Sequence, residues 1–109
     1  PKGAVSRWHR VASCEAWHHL EGAPLRMHEF PAQGGPGRSV TLGPGADHQT
    51  PIHVVEAGLW QGALTTGDYT LVGCSVAPGF VFEDHCLLAD HPERDTIVPE
   101  GLPFWRALL

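Results

Sequence analysis

Asp68-Tyr69-Thr70-Leu71-Val72-Gly73-Cys74-Ser75-Val76-Ala77 stands between the turn Thr65-Thr66-Gly67 and the break Pro78-Gly79. Tyr69, Thr70, Val72 and Val76 favour a pleated backbone, and no proline interrupts the run, so it reads as the best strand of the chain. Working back from it, Leu59 to Leu64 reads as a strand entered through the turn Ala57-Gly58, with His53 to Glu56 before that turn. Arg38 to Leu42 and Leu25 to Phe30 form a hairpin around Pro31-Ala32-Gln33-Gly34-Gly35-Pro36-Gly37, which cannot hold regular structure. Gly22-Ala23-Pro24 separates Leu25 from a strand over Glu15 to Leu20. A turn or bulge at Ser13-Cys14 separates that strand from Val5 to Val11. Forward of Pro78-Gly79, Phe80 to Phe82 is expected to add a short last strand. The tail after Leu87 holds Pro92, Pro99 and Pro103 and is expected to be irregular or weakly helical.

Composition agrees with this segmentation. The chain has 109 residues, with 13 Gly and 10 Pro but only 17% charged residues, a mixture suited to short segments joined by tight turns. Its length suits one domain, which buries roughly two thirds of the surface exposed by the unfolded chain. The expected class is all-β. About eight strands at this spacing imply a jelly roll or a small barrel, where alternate residues face inward and inward polar residues line a pocket.

A formal charge of -5 with neutral histidines argues against partners such as nucleic acid or an anionic membrane surface. No apolar run approaches the ~18 residues of a membrane span, and Pro1-Lys2-Gly3 does not begin a signal peptide, so a soluble, cytoplasmic protein is expected. Cys14, Cys74 and Cys86 are odd in number and match no paired-Cys zinc spacing, which makes reduced thiols the default. Cys74, inside an apolar run, reads as an inert core thiol rather than a nucleophile.

Gly3, His9, Val11, Glu15 and Gly22 follow a spacing that resembles the first cupin motif, with Val11 where that motif has its second His. Glu56-Ala57-Gly58-Leu59-Trp60-Gln61 resembles the second, with Gln61 where it has the third metal-binding His. The blocks Ser6-Arg7-Trp8-His9-Arg10-Val11, Trp17-His18, Ala57-Gly58-Leu59-Trp60-Gln61 and Gly67 to Phe80 resemble, more narrowly, cupin family five. That family is largely uncharacterised, and its folds are similar to the sugar-nucleotide epimerase of rhamnose synthesis. The similarity runs over roughly residues 3 to 88, with Cys14 where the family has Asp and Leu20 near a further family His. It implies a cupin jelly roll of two antiparallel sheets over 1–88, a tail over 89–109, and a homodimer. It also implies that a segment with an extra strand or two precedes the present first residue in related chains.

His9, Glu15 and Gln61 are the candidate pocket group. As organic catalysts, His9 and Glu15 could share a proton, the imidazole acting as base and the carboxylate orienting it. That is the logic of a cofactor-free isomerase or epimerase, with Tyr69 as candidate partner acid. Trp17 and His19 share strand parity with Glu15 and are candidate ligand-binding residues beside Gln61. A divalent metal, if held, would use His9, Glu15 and Gln61, a poorer donor set than three imidazoles. A network that only satisfies its own hydrogen bonds is the structural alternative. The expected function is a small-molecule enzyme of isomerase type acting on a polar metabolite, either a carbohydrate or a natural-product intermediate. A metal-dependent oxygenase or cyclase and a non-catalytic ligand-binding module are the competing readings.

Overall fold

The structure is a computed structural model that describes residues 1–77, 79, 85–91 and 108. Among the described residues nine strands run in chain order: β1 Val5–Arg10, β2 Cys14–Gly22, β3 Leu25–Phe30, β4 Arg38–Leu42, β5 Gln49–Thr50, β6 Ile52–Val55, β7 Trp60–Thr65, β8 Thr70–Ala77 and β9 Cys86–Leu87. A 3-10 turn over Leu88–Asp90 follows. The strands form a six-stranded sheet in the order β5-β4-β3-β7-β1-β9 and a three-stranded sheet in the order β6-β2-β8. Pairing is antiparallel except for the short β4–β5 contact. This is the all-β, two-sheet jelly roll that the sequence implies. The strand expected at Phe80 to Phe82, the turn at Pro78 and most of the tail over 89–109 lie outside the described residues. Among the described residues no helix is long and apolar enough to cross a membrane.

Alternation along the strands divides the apolar residues between two cores. Trp17, Leu25, Met27, Leu42, Val55 and Ala63 fill the space between the sheets. Trp8, Phe30, Trp60, Leu88 and Leu108 form a second core on the outer face of the larger sheet. Gly62 lets them pack closely: a Cβ at this position would lie 3.0 Å from Leu108 and 3.1 Å from Trp8, and one of the two would have to give way. Phe30 meets the Trp8 ring edge-on at 5.1 Å, and the Arg10 guanidinium lies 4.8 Å from the centre of the Trp60 ring.

Two irregularities set the geometry of the site. Ser6 pairs with Ala63 and His9 with Gln61, so β1 carries one residue more than β7 over this stretch. The bulge lets Ser6 and His9 share the inner face while Trp8 enters the outer core. The second lies at the far end of β2, between His19 and Glu21. Gly22 there adopts φ +89, and a Cβ on it would come within 2.6 Å of the Tyr69 carbonyl oxygen, so only glycine suits the position.

Trp8 is fully buried, so Trp8→Ala removes the centre of the outer core and should cost about 3–5 kcal/mol of stability. Urea denaturation of the variant checks this; a loss below about 1 kcal/mol would show that the outer face is not a packed core.

Candidate functional site

Register places a row of polar residues across the inner face of the larger sheet. Gln61 pairs with His9 on one side and with Glu29 on the other, and Glu29 pairs in turn with Arg38. On the facing sheet Glu15 pairs with Val55 and Val76, and Trp17 pairs with His53 and Cys74. His9, Gln61 and Glu15 are thereby brought together, with Trp17 beneath them.

One donor orders the group. The Trp17 indole Nε1–H can only donate, and it meets Gln61 Oε1 at 2.8 Å. Gln61 must therefore turn its amide nitrogen the other way, where Nε2 donates to Glu15 Oε1 at 2.8 Å. His9 Nε2 stands 3.9 Å from the same oxygen, Glu15 Oε1. The second imidazole nitrogen, Nδ1, lies 2.6 Å from the Arg7 carbonyl oxygen, which only accepts, so Nδ1 carries the hydrogen. Neutral His9 thus keeps its lone pair on Nε2, facing Glu15. The His85 ring stacks on His9 at 5.3 Å between centroids. Burial holds His85 below its ordinary value, and the charge of His9 pushes the same way.

Burial alone would raise the Glu15 carboxyl, but protonated His9 beside it, then the hydrogen bonds from Gln61 and Cys74, outweigh it, and the acid sits below its ordinary value of 4.5. The same contacts act oppositely on Cys74. Burial, then the Glu15 charge and the hydrogen bond to it, push this thiol up to about 12. As a residue Cys74 is exposed, not part of the core that the sequence suggests, and it is these contacts that keep its thiol protonated near neutrality.

A second histidine–carboxylate pair, which sequence reasoning missed, closes the row. Glu29, only 6% exposed, accepts from Arg38 Nε and meets His53 Nε2 at 3.1 Å through its other oxygen. Burial would raise Glu29 too, but the His53 and Arg38 contacts hold it below 4.5. A signal did exist. Glu29 follows Leu25 and Met27 at steps of two on the inward face, an unusual place for an unpaired carboxylate.

The other expected residues lie elsewhere. Tyr69 is 45% exposed and its ring lies against Gly22. That is seven residues along β2 from Glu15, roughly 23 Å of strand. His19 shares the face of Glu15 and Trp17, but its Nε2 lies 3.1 Å from the Gly22 carbonyl oxygen at the same distant end. Two hollows flank the polar layer. One of about 230 Å³ lies on the far side of Trp17 among Leu25, Ala63, Thr65 and Val72. The other, about 290 Å³, is lined by Glu29, Arg38, Pro31, Pro36, Glu56 and Leu59.

The donor set does not fit a resident metal ion. Gln61 offers a metal only its Oε1, which is engaged by Trp17, and it presents N–H to Glu15. Among the described residues no three His, Cys, Asp or Glu side chains converge closely enough to hold one.

Two sheets enclosing a polar layer of this kind define the protein as a cupin. The family model described as Cupin superfamily (DUF985), cupin family five, matches residues 1–88, and the chain belongs to that family. It is similar to the crystal structure of protein SO0799 from Shewanella oneidensis, with 33% identity and a TM-score of 0.71 over 76% of this chain and 53% of that one. It is also similar to a hypothetical protein from Leishmania major, with 26% identity and a TM-score of 0.67 over 74% of this chain and 56% of that one. The chain therefore spans just over half the length of each. No curated protein matches it.

The site fixes how stability depends on acid. Glu15 and Glu29 have folded values below 4.5, so their contribution is complete above that pH and is lost as pH falls through the lowered values. His28 is lowered from 6.5 by burial, then by the charge of Arg26, so its contribution is present above 6.5 and lost below it. Urea denaturation across pH 3 to 8 should show a decline beginning below 6.5 and steepening below 4.5. Glu15→Gln should flatten only the second part; an unchanged slope would contradict the network.

The thiol gives a second test. Alkylation of Cys74 by iodoacetamide at pH 8, followed by peptide mass spectrometry, should run at least roughly tenfold slower than that of free cysteine, and Glu15→Gln should speed it. Equal rates in both proteins would show that Glu15 does not hold the thiol.

Proposed function

We propose that the protein binds a polar metabolite against the His9–Gln61–Glu29 row and acts on it by proton transfer without a cofactor, as an isomerase or epimerase. A carbohydrate or a related natural-product intermediate, with a carbonyl beside an exchangeable C–H, suits this chemistry. The observation that carries the proposal is the state of His9: Nδ1–H is committed to the Arg7 carbonyl, and the Nε2 lone pair faces a carboxylate held ionised. Such an imidazole takes a proton from the ligand at Nε2, and Glu15 stabilises the imidazolium that forms. The same nitrogen then returns the proton to the former carbonyl carbon while the hydroxyl proton passes from one enediol oxygen to the other, which completes an isomerisation. Gln61 and Trp17 hold Glu15 in place during the transfer. The hollow beside Glu29 and Arg38, about 290 Å³, lies at the Glu29 end of the row and is at the small end of ligand sites.

The test is His9→Asn. The amide can still reach the Arg7 carbonyl, so the melting temperature should stay within a few degrees, corresponding to about 1 kcal/mol for a domain of this size. Turnover should fall at least roughly tenfold, about 1.4 kcal/mol. If the variant unfolds while activity per folded molecule is unchanged, His9 is a core residue and the proposal fails.

A further inference from the structure

We infer that His53, backed by Glu29 and Arg38, is a second proton-transfer group of the same site, acting from the opposite side to His9. The inference rests on the acid–base reading of His9 and supplies the partner acid that Tyr69, against Gly22 at the other end of β2, is not placed to be.

Three observations carry it. The first is the row. Gln61 is paired to both His9 and Glu29, so these two stand on either side of β7, about two strand spacings or roughly 10 Å apart, and each is met from the facing sheet, His9 by Glu15 and Glu29 by His53. The second is the internal chemistry of the new pair. Glu29 accepts from Arg38 and is ionised, so it can only accept from His53 Nε2, which therefore carries a hydrogen. Neutral His53 is left with its lone pair on Nδ1, the arrangement by which a carboxylate orients a catalytic imidazole. The third is space beside the groups that back His53, since Glu29 and Arg38 line the hollow of about 290 Å³, whose lining does not itself reach either imidazole. Both imidazoles also keep a small part of their surface exposed, His9 at 13% and His53 at 12%.

The step balances without an oxidant or reductant. One neutral imidazole takes the proton from a carbon beside a carbonyl. The C–H bond breaks, and its electron pair passes into the enolate. The other histidine, protonated, delivers its proton to the opposite face and a new C–H bond forms from the enolate pair. The configuration is inverted, and the two imidazoles have exchanged protonation states, which proton exchange with water restores.

The probe is erythrulose, a four-carbon ketose whose single stereocentre lies beside its ketone, used as separate D and L enantiomers in D2O. Deuterium uptake at that centre is read by NMR and racemisation by optical rotation. The unmodified protein should catalyse both processes from both enantiomers. His53→Asn should lose racemisation at least tenfold yet keep deuterium uptake from one enantiomer, and His9→Asn should keep uptake only from the other. Glu29→Gln should shift uptake in the same direction as His53→Asn. Racemisation within twofold of the unmodified protein in His53→Asn would overturn the second group and leave the His9 reading standing. So would loss of uptake from both enantiomers in His53→Asn with the circular dichroism spectrum intact, since that marks a supporting role. If the unmodified protein takes up no deuterium above buffer from either enantiomer, the acid–base reading falls and this inference with it.

Discussion

The Trp17 indole can donate a hydrogen bond but never accept one, and much of the site follows from that. Its partner must be Gln61 Oε1, so the amide nitrogen must face Glu15, and the bonds tie the smaller sheet to the larger one and back. Each group is buried or nearly so, and leaving a buried partner unsatisfied costs about 1–3 kcal/mol. The three side chains therefore behave as one unit rather than as separable contacts. Glu15 is kept ionised by that unit, and an ionised Glu15 is what gives His9 its counter-charge and holds the Cys74 thiol protonated.

The precision of the bridge depends on the outer core. Gln61 sits on β7 between Trp60 and Gly62, whose faces are turned the other way, against Phe30, Trp8 and Leu108. Packing on both sides leaves β7 no freedom to shift, so the amide of Gln61 is presented at a fixed height to Trp17 and Glu15. The β1 bulge belongs to the same arrangement, because without the extra residue Trp8 could not enter the outer core while His9 stays inside. His28 is the cost of this packing. It is 1% exposed, its Nδ1 lies 2.6 Å from Ser39 Oγ, and its Nε2 has no partner among the described residues. A charge there would be unsolvated, which is why burial lowers its affinity for protons.

Much of the fold was legible because strand alternation and turn chemistry are local properties. Leu25–Phe30 and Arg38–Leu42 run over the same residues in the sequence and in the structure, and His9, Glu15, Gln61 and Trp17 fall on shared inner faces as parity requires. Parity gives the face but not the height, so by itself it does not separate Tyr69 and His19 from residues at the other end of β2 and β8. The short strands Gln49–Thr50 and Cys86–Leu87 carry too few residues to show a period, and they exist through pairing with β4 and β1. The Glu29–His53–Arg38 cluster depends on the register of β3 with β4 and on the packing of the sheet that carries β6 against them, residues up to 24 apart in sequence, which no local pattern encodes.

Where related cupins present imidazoles, this chain has Val11 and Gln61, and the amide has been drawn into an organic hydrogen-bond chain anchored on an indole. The most direct measurement of that chain is hydrogen exchange at the Trp17 indole N–H, followed by 15N-resolved NMR in D2O under native conditions. With the bridge in place, this proton is shielded within the sandwich and should exchange only through global opening, at the rate of the slowest backbone amides of β2 and β7. Exchange on the timescale of a solvent-exposed indole, while those backbone amides stay protected, would show that Trp17 does not hold Gln61 and would contradict the account.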